Sequence, residues 1–397
     1  MASAIRPRAL LIAPESPYPA AGGGAMRTAS LLEYLARKYD LDLVVFREPA
    51  AADPRCAIPR RLYRRLLVVE LAPHSRSFAA RMARAAWRLA RGVPPLSDRF
   101  AGYNSELREF IRGQSYELGI IEHLWCASYL EVIEQACRRT TLDLHNIESV
   151  LMARRAAVAP FPASSAFRRF ERAARAEERL WLERFTTVLV ASENDASLVR
   201  ALSDGTEVVI YPNALPLRPR PEAEELHMVA FSGNLEYDPN QDAVRFFTRR
   251  IWPHLASQWP ELRWRLIGSR PEAVARYVHN QPRVELACAP EDAVHSLAQA
   301  QVVVVPLRIG SGTRFKILEA WAAGRAVVST AVGAEGLPVQ EGENILIRDE
   351  PGEFVRAVSE LLGSPAQRRR IGMCGRHLFE QELTWEAAWR QLFSTGI

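Results

Sequence analysis

At 397 residues the chain is too long for one ordinary core, so two α/β domains of about 200 residues each are expected. Hydrophobic content of 48% with 24% charged residues is that of a globular protein, and no apolar run reaches the roughly 20 residues of a membrane span. The net charge of +5 is modest, and no nucleic-acid motif accompanies it, which excludes nucleic acid as an expected partner.

The first apolar run, Ala9 to Ala13, stops at Pro14 and is too short for a signal-peptide core, so it reads as a buried first strand and export is not expected. Gly22, Gly23 and Gly24 follow it and precede a helix over 25–38. Backbone N–H groups there can meet a substrate, although such a turn is more often only a flexible loop. Strands are expected at 41–46, 118–121, 142–144 and 187–191, and their alternation with helical segments implies a parallel sheet. His123 and His145 stand just past two of these strands, the position that faces a ligand crevice in open α/β sheets. Asp143 and Glu148 are expected to support that loop. Arg76, Arg81, Arg84, Arg88 and Arg91 lie in one Ala-rich stretch with Phe78, Met82, Trp87 and Leu89. That segment either rests on an anionic membrane surface or is a solvated helix whose apolar side packs on the core. Five cysteines, Cys56, Cys126, Cys137, Cys288 and Cys374, form no Cys-x-x-Cys pair, so reduced thiols in a cytoplasm are expected, with no disulfide framework and no metal site.

The prolines of Leu215 to Glu225 favour an extended connector between two domains. Beyond it the α/β cycle repeats, with strands at 228–231, 264–267, 284–286, 301–306 and 326–329 and helices at 242–256 and 315–323. A last amphipathic helix is expected over 384–393 behind a Thr384 cap. The implied domains are 1–214, a linker 215–225, 226–380 and the terminal helix 381–397.

The strongest chemical signal is Val302-Val-Val-Val-Pro-Leu-Arg-Ile-Gly-Ser-Gly-Thr-Arg-Phe-Lys-Ile-Leu-Glu-Ala-Trp-Ala-Ala-Gly324. A buried strand runs into Gly310-Ser311-Gly312, and Thr313 can cap a helix starting near Arg314. Free N–H groups at a helix start suit a phosphate, and the glycines allow close approach. Arg314 and Lys316 add positive charge. Glu319, one turn after Phe315, can accept hydrogen bonds from vicinal ribose hydroxyls. Such a cluster suggests a nucleoside diphosphate. The bland alternative is a solvated helix start with a Glu–Lys pair.

Gly312 to Thr330 is similar to the donor-site segment of retaining glycosyltransferases of family four, the glycosyl transferases group 1, and within them of exopolysaccharide-associated sugar transferases. Phe231-Ser-Gly-Asn-Leu-Glu-Tyr-Asp-Pro-Asn240 and Tyr211-Pro-Asn-Ala214 resemble the opening of that family's C-terminal domain and its hinge element. The resemblance covers nearly the whole chain. It implies the GT-B architecture, two Rossmann-like domains facing a central cleft, with the last helix returning to the N-terminal domain. By the same resemblance Glu319 binds the donor ribose, and the loop from Cys288 through Ala289 to Pro290 borders the base. Gly233, Asn234, Asn240, Gly310, Ser311, Gly312 and Thr313 complete the donor site. His145 matches the active-site histidine and acts with Arg314 and Lys316, while Gly22, Gly23, Gly24, Arg27 and His123 face the phosphate and the acceptor. Ser311 stands where many relatives carry a glutamate, and Asn234 and Asn240 lie where many carry an arginine and a lysine. The implied chemistry is metal-independent transfer from a UDP- or GDP-linked sugar, with no cofactor, to a saccharide, lipid-linked or small-molecule acceptor. The implied place is the cytoplasm or the inner membrane face. A nucleotide-sugar epimerase and a non-catalytic nucleotide-sugar-binding assembly protein are the competing readings.

Overall fold

The computed structural model describes residues 6–20, 22–75, 77–203, 205–288, 293–310, 314–393, 395 and 397. Among the residues named above, Arg76, Ala289, Pro290, Ser311, Gly312 and Thr313 lie outside the described residues. The chain divides into two compact units, Met1–Pro212 with Trp389–Ile397, and Asn213–Ala388.

In the first unit seven strands form one sheet: β1 (Arg8–Ala13), β2 (Asp40–Arg47), β3 (Arg65–Glu70), β4 (Tyr116–Glu122), β5 (Cys137–Asp143), β6 (Thr187–Val190) and β7 (Glu207–Ile210). Their order is β3-β2-β1-β4-β5-β6-β7 and every pair is parallel. Continuous apolar runs form these strands because helices cover both faces of such a sheet, and Leu10, Leu11 and Ile12 are fully buried. In the second unit the strands are β8 (Leu226–Ser232), β9 (Arg263–Gly268), β10 (Val284–Cys288), β11 (Ala300–Val305), β12 (Ala326–Ser329) and β13 (Leu346–Ile347), in the order β10-β9-β8-β11-β12-β13. In each sheet the first strand pairs with the second on one side and the fourth on the other. This topological switch point opens a crevice beyond the carboxyl ends of β1 and β4, and of β8 and β11.

Three local expectations change. The helix expected over 242–256 is two helices, Asp238–Arg250 and Trp252–Gln258. Pro253 lacks the N–H that a continuous helix needs, and the first helix starts early because Pro239 suits its first turn. The connector is not a free tether, because it is strapped to its own unit. Leu215 exchanges backbone bonds with Leu383 and Trp385, the Arg218 carbonyl accepts from Arg376 at 2.7 Å, and Glu225 pairs with Arg325 and Arg368. The helix Phe78–Arg91, capped by Ser77, buries none of its residues, so its apolar side does not pack on the core.

The last helix, Trp385–Phe393, starts where the Ala387 N–H donates to Thr384 Oγ1. Beyond the unit boundary, Trp389 Nε1 donates to the Ser30 carbonyl at 3.1 Å, and the Ile397 carbonyl accepts from Tyr34 at 2.9 Å. Among the described residues no helix is long and apolar enough to cross a membrane.

Candidate functional site

In the second unit the polar groups gather past β8. Ser232, its last residue, donates through Oγ to Glu319 Oε2 at 2.7 Å, and Glu319 lies on the helix Phe315–Ala322 that follows β11. Gly233 has φ 145°, and a Cβ there would come within 2.9 Å of Asn240 Nδ2 and 3.4 Å of Lys316 Nζ, so the glycine keeps this floor open. Asn240 uses both ends of its amide: Nδ2 donates to the Asn234 carbonyl at 2.7 Å and Oδ1 accepts from Lys316 Nζ at 3.1 Å. The asparagine that stands in place of a basic residue therefore holds a lysine supplied by another element. Burial and the Arg314 charge push the Lys316 ammonium down to about 8, with Glu319 opposing. Arg314 caps the helix start, is 8% exposed, and folds its guanidinium over Gly310, whose φ of 151° and missing Cβ give it room. Two cations and one carboxylate thus lie over the start of one helix, an arrangement that can take a diphosphate at its positive end and a hydroxylated ring at Glu319. Cys288 ends β10 and is exposed.

In the first unit the groups gather past β1, β4 and β5. Gly22, at φ 91°, precedes the helix Gly23–Lys38, and a Cβ on Gly24 would lie 2.7 Å from Glu15 Oε1 and 3.9 Å from His145 Nδ1. Arg27, just past the first turn of that helix, turns inward. It meets Asp143 at 2.5 Å, donates to the Tyr211 carbonyl at 2.5 Å, and is 1% exposed. The expectation that Arg27 faces a phosphate is therefore corrected, because the buried Asp143 demands its charge.

His145 Nε2 lies 3.3 Å from Asp143 Oδ2 and 3.8 Å from Glu122 Oε1. Burial disfavours its cation, but hydrogen bonds and charge from Asp143 and Glu122 prevail, and the imidazole is pushed up to about 9. Burial raises the Asp143 carboxyl, yet Arg27 and His145 hold it below its usual range. Burial lifts Glu122, whose Oε2 accepts from Thr28 at 2.7 Å. His123, at φ 65°, stacks on Trp125 at 3.9 Å and meets His145 at 3.8 Å between centroids with the rings tilted by 43°. Burial and the His145 and Arg27 charges drive His123 well down, so it is neutral.

Glu122, Asp143 and His145 offer three ligand atoms within 4.8 Å of one another, the spacing of a metal cluster. The donor set argues against that use, because Arg27 already holds Asp143 and His145 is itself cationic. Asp40-Leu41-Asp42 has the spacing of an Asp-x-Asp metal motif but lies at the opposite, amino end of β2, where Arg64, Arg65 and Tyr116 close on Asp42.

Glu122, Trp125 and Ser232 were missed from the sequence. A charge at the end of Leu118-Gly-Ile-Ile-Glu122 was the available signal for the first; the other two are legible only in three dimensions. Glu148 is buried and pushed up to about 7, by burial first and by Glu178 and Glu177 against Arg155 and His145.

Residues 227–364 match the family model described as glycosyl transferases group 1. An uncharacterised 44.6 kDa protein of the cps region of Klebsiella pneumoniae is 21% identical over 138 residues, 33% of this chain and 36% of that protein, so the match spans about a third of that curated relative. Sucrose-phosphate synthase from Thermosynechococcus elongatus superposes with a TM-score of 0.71 at 18% identity, covering 98% of this chain and 100% of that one. HepE of Anabaena, solved in complex with UDP and glucose, superposes with a TM-score of 0.67 at 13% identity, covering 98% and 99%. The chain has the GT-B fold, and residues 227–364 of its second unit are similar to the glycosyl transferases group 1 family model.

Proposed function

We propose that the chain transfers a hexose from a nucleoside-diphosphate sugar to an acceptor hydroxyl with retention, in the synthesis of a polysaccharide, glycolipid or glycoconjugate. The observation that carries the reading is the Ser232–Glu319 hydrogen bond beside the Asn240–Lys316 contact, at the switch point of the second sheet. Glu319, fixed by Ser232, takes the ribose hydroxyls. Lys316 and Arg314 neutralise the diphosphate, which is UDP- or GDP-linked and needs no metal ion in this reading. That HepE was solved with UDP and glucose supports the donor class. The relative's place in a cps region supports a polysaccharide or lipid-linked acceptor.

His145 serves as a cation and hydrogen-bond donor to sugar hydroxyls, not as a base, since its proton is held by two carboxylates. The leaving diphosphate then takes the acceptor's proton, and the protein orients the groups and stabilises charge. Peripheral contact with the inner membrane face belongs to the same reading.

The test is a donor panel with the purified chain, scoring nucleotide release with and without membrane lipid extract and with chelator. Acceptor-dependent release that survives chelation, with an unchanged anomeric configuration, is expected. Sugar isomerisation without an acceptor would reassign the chain as an epimerase. Tight donor binding with no turnover would make it a binding protein.

A further inference from the structure

The helix Phe78–Arg91 is built the wrong way round for a surface helix. At about 100° per residue, Phe78, Met82, Ala85 and Leu89 form one stripe, and Arg81, Arg84, Arg88 and Arg91 form the adjacent one. Two arginines of the polar stripe turn inward: Arg88 meets Asp98 at 2.6 Å, and Arg84 Nη2 donates to the Ser75 carbonyl, just before the helix, at 2.8 Å. Arg169, from the neighbouring helix Ala163–Leu182, donates to the Leu89 and Ala90 carbonyls. The apolar stripe stands outside, with Phe78 78% and Met82 54% exposed; Trp87, on the far side of the helix, is 45% exposed beneath Arg91. No acidic residue occurs from Leu71 to Ser97, and exposed Arg168 and Arg172 flank Arg169.

A water-facing helix would lose free energy by this arrangement, because large apolar groups are hydrated while arginines are spent on inward contacts. A second copy of the chain does not suit the face, since facing arginine stripes would repel. A bilayer with anionic headgroups meets both needs at once. We propose that Phe78 and Met82 enter the interface of an anionic phospholipid bilayer while Arg81 and Arg91 contact its headgroup phosphates. The docking deepens the peripheral membrane contact of the proposed function and rests on that reading, while its test stands apart from donor binding, because none of these residues belongs to either cluster described above.

The experiment is sedimentation of the full chain with vesicles of phosphatidylcholine alone or with about one third phosphatidylglycerol, beside light scattering without lipid. Binding to the anionic vesicles, weakened by salt, is expected. The F78S/M82S double variant should bind about tenfold or more weakly. R81Q/R91Q should lose roughly fivefold for each charge removed. If F78S/M82S loses helix by circular dichroism, R81Q/R91Q carries the test. Equal binding of both variants, or a doubled mass in solution without vesicle binding, overturns the proposal.

Discussion

Arg27 and Asp143, 116 positions apart, meet at 2.5 Å with 1% and 0% of their side chains exposed. One comes from the helix after β1 and the other ends β5, so the ion pair ties the glycine-containing loop to the histidine loop. A buried pair of this kind is weak evidence of net stability, but breaking it is costly because the surviving charge cannot reach water. Asp143→Asn should cost about 3–5 kcal/mol, read from urea unfolding. A loss below 1 kcal/mol, within the range of exposed pairs, would show that water reaches Arg27.

His145 depends on the same carboxylate. Its folded value of about 9 exceeds the ordinary 6.5, so the imidazolium contributes its full stability below pH 6.5 and loses it as pH rises through about 9. The stability difference between the native chain and His145→Gln should be about 3 kcal/mol at pH 6 and should shrink markedly by pH 9.5. A difference independent of pH would mean that the ring is neutral throughout. In the transferase reading, turnover should follow the same alkaline decline.

Much of this was legible in the sequence, and the limits have physical causes. Runs such as Val302 to Val305 are buried on both faces, so their composition alone identifies them as parallel strands. β3 hides its Leu-Leu-Val-Val among arginines, and β7 and β13 are too short to carry a pattern. Gly233, Lys316 and Glu319 could be singled out as candidates because helix starts and close backbone approach have sequence signatures. The partner that holds each one could not. Asn240 lies 76 positions from Lys316 and Ser232 lies 87 from Glu319, and one sequence without its fold cannot state such pairings. Arg27 misled for the same reason: its loop position suggested ligand contact, while the acid that claims it comes from a distant strand.

Lys316 carries a cost that only a ligand repays. Its ammonium is depressed to about 8 from 10.5, so the folded state is penalised below pH 8 and gains stability as pH rises from about 8 to 10.5. Lys316→Met should therefore stabilise the empty protein at pH 7 by on the order of 1 kcal/mol, a figure discounted because the side chain is partly exposed. The same change should weaken nucleoside-diphosphate binding by about tenfold or more, measured by calorimetry. Affinity of the native chain should fall as pH rises through about 8, and the variant should lack that dependence. Unchanged affinity would remove Lys316 from the donor site.

The placement of Glu319 rests on packing far from any ligand. Its helix, Phe315–Ala322, carries Trp321, whose ring is fully buried and donates through Nε1 to the Asn344 carbonyl at 3.0 Å. The helix Pro365–Glu382 crosses it with Gly372 and Gly375 at the contact. A Cβ on Gly375 would overlap the Trp321 indole, and one on Gly372 would overlap the Gly324 carbonyl. Trp321 has no open side to move into, so Gly375→Ala should displace the helix itself. The expected cost is about 1–3 kcal/mol of stability, the usual penalty of overpacking. Because Glu319 and Lys316 ride on that helix, donor KM should rise several-fold while an exposed control with open space around it, Gly205→Ala, leaves KM unchanged. If Gly375→Ala lowers the melting temperature but leaves donor KM untouched, the donor-facing turn is held by Ser232 and Asn240 alone.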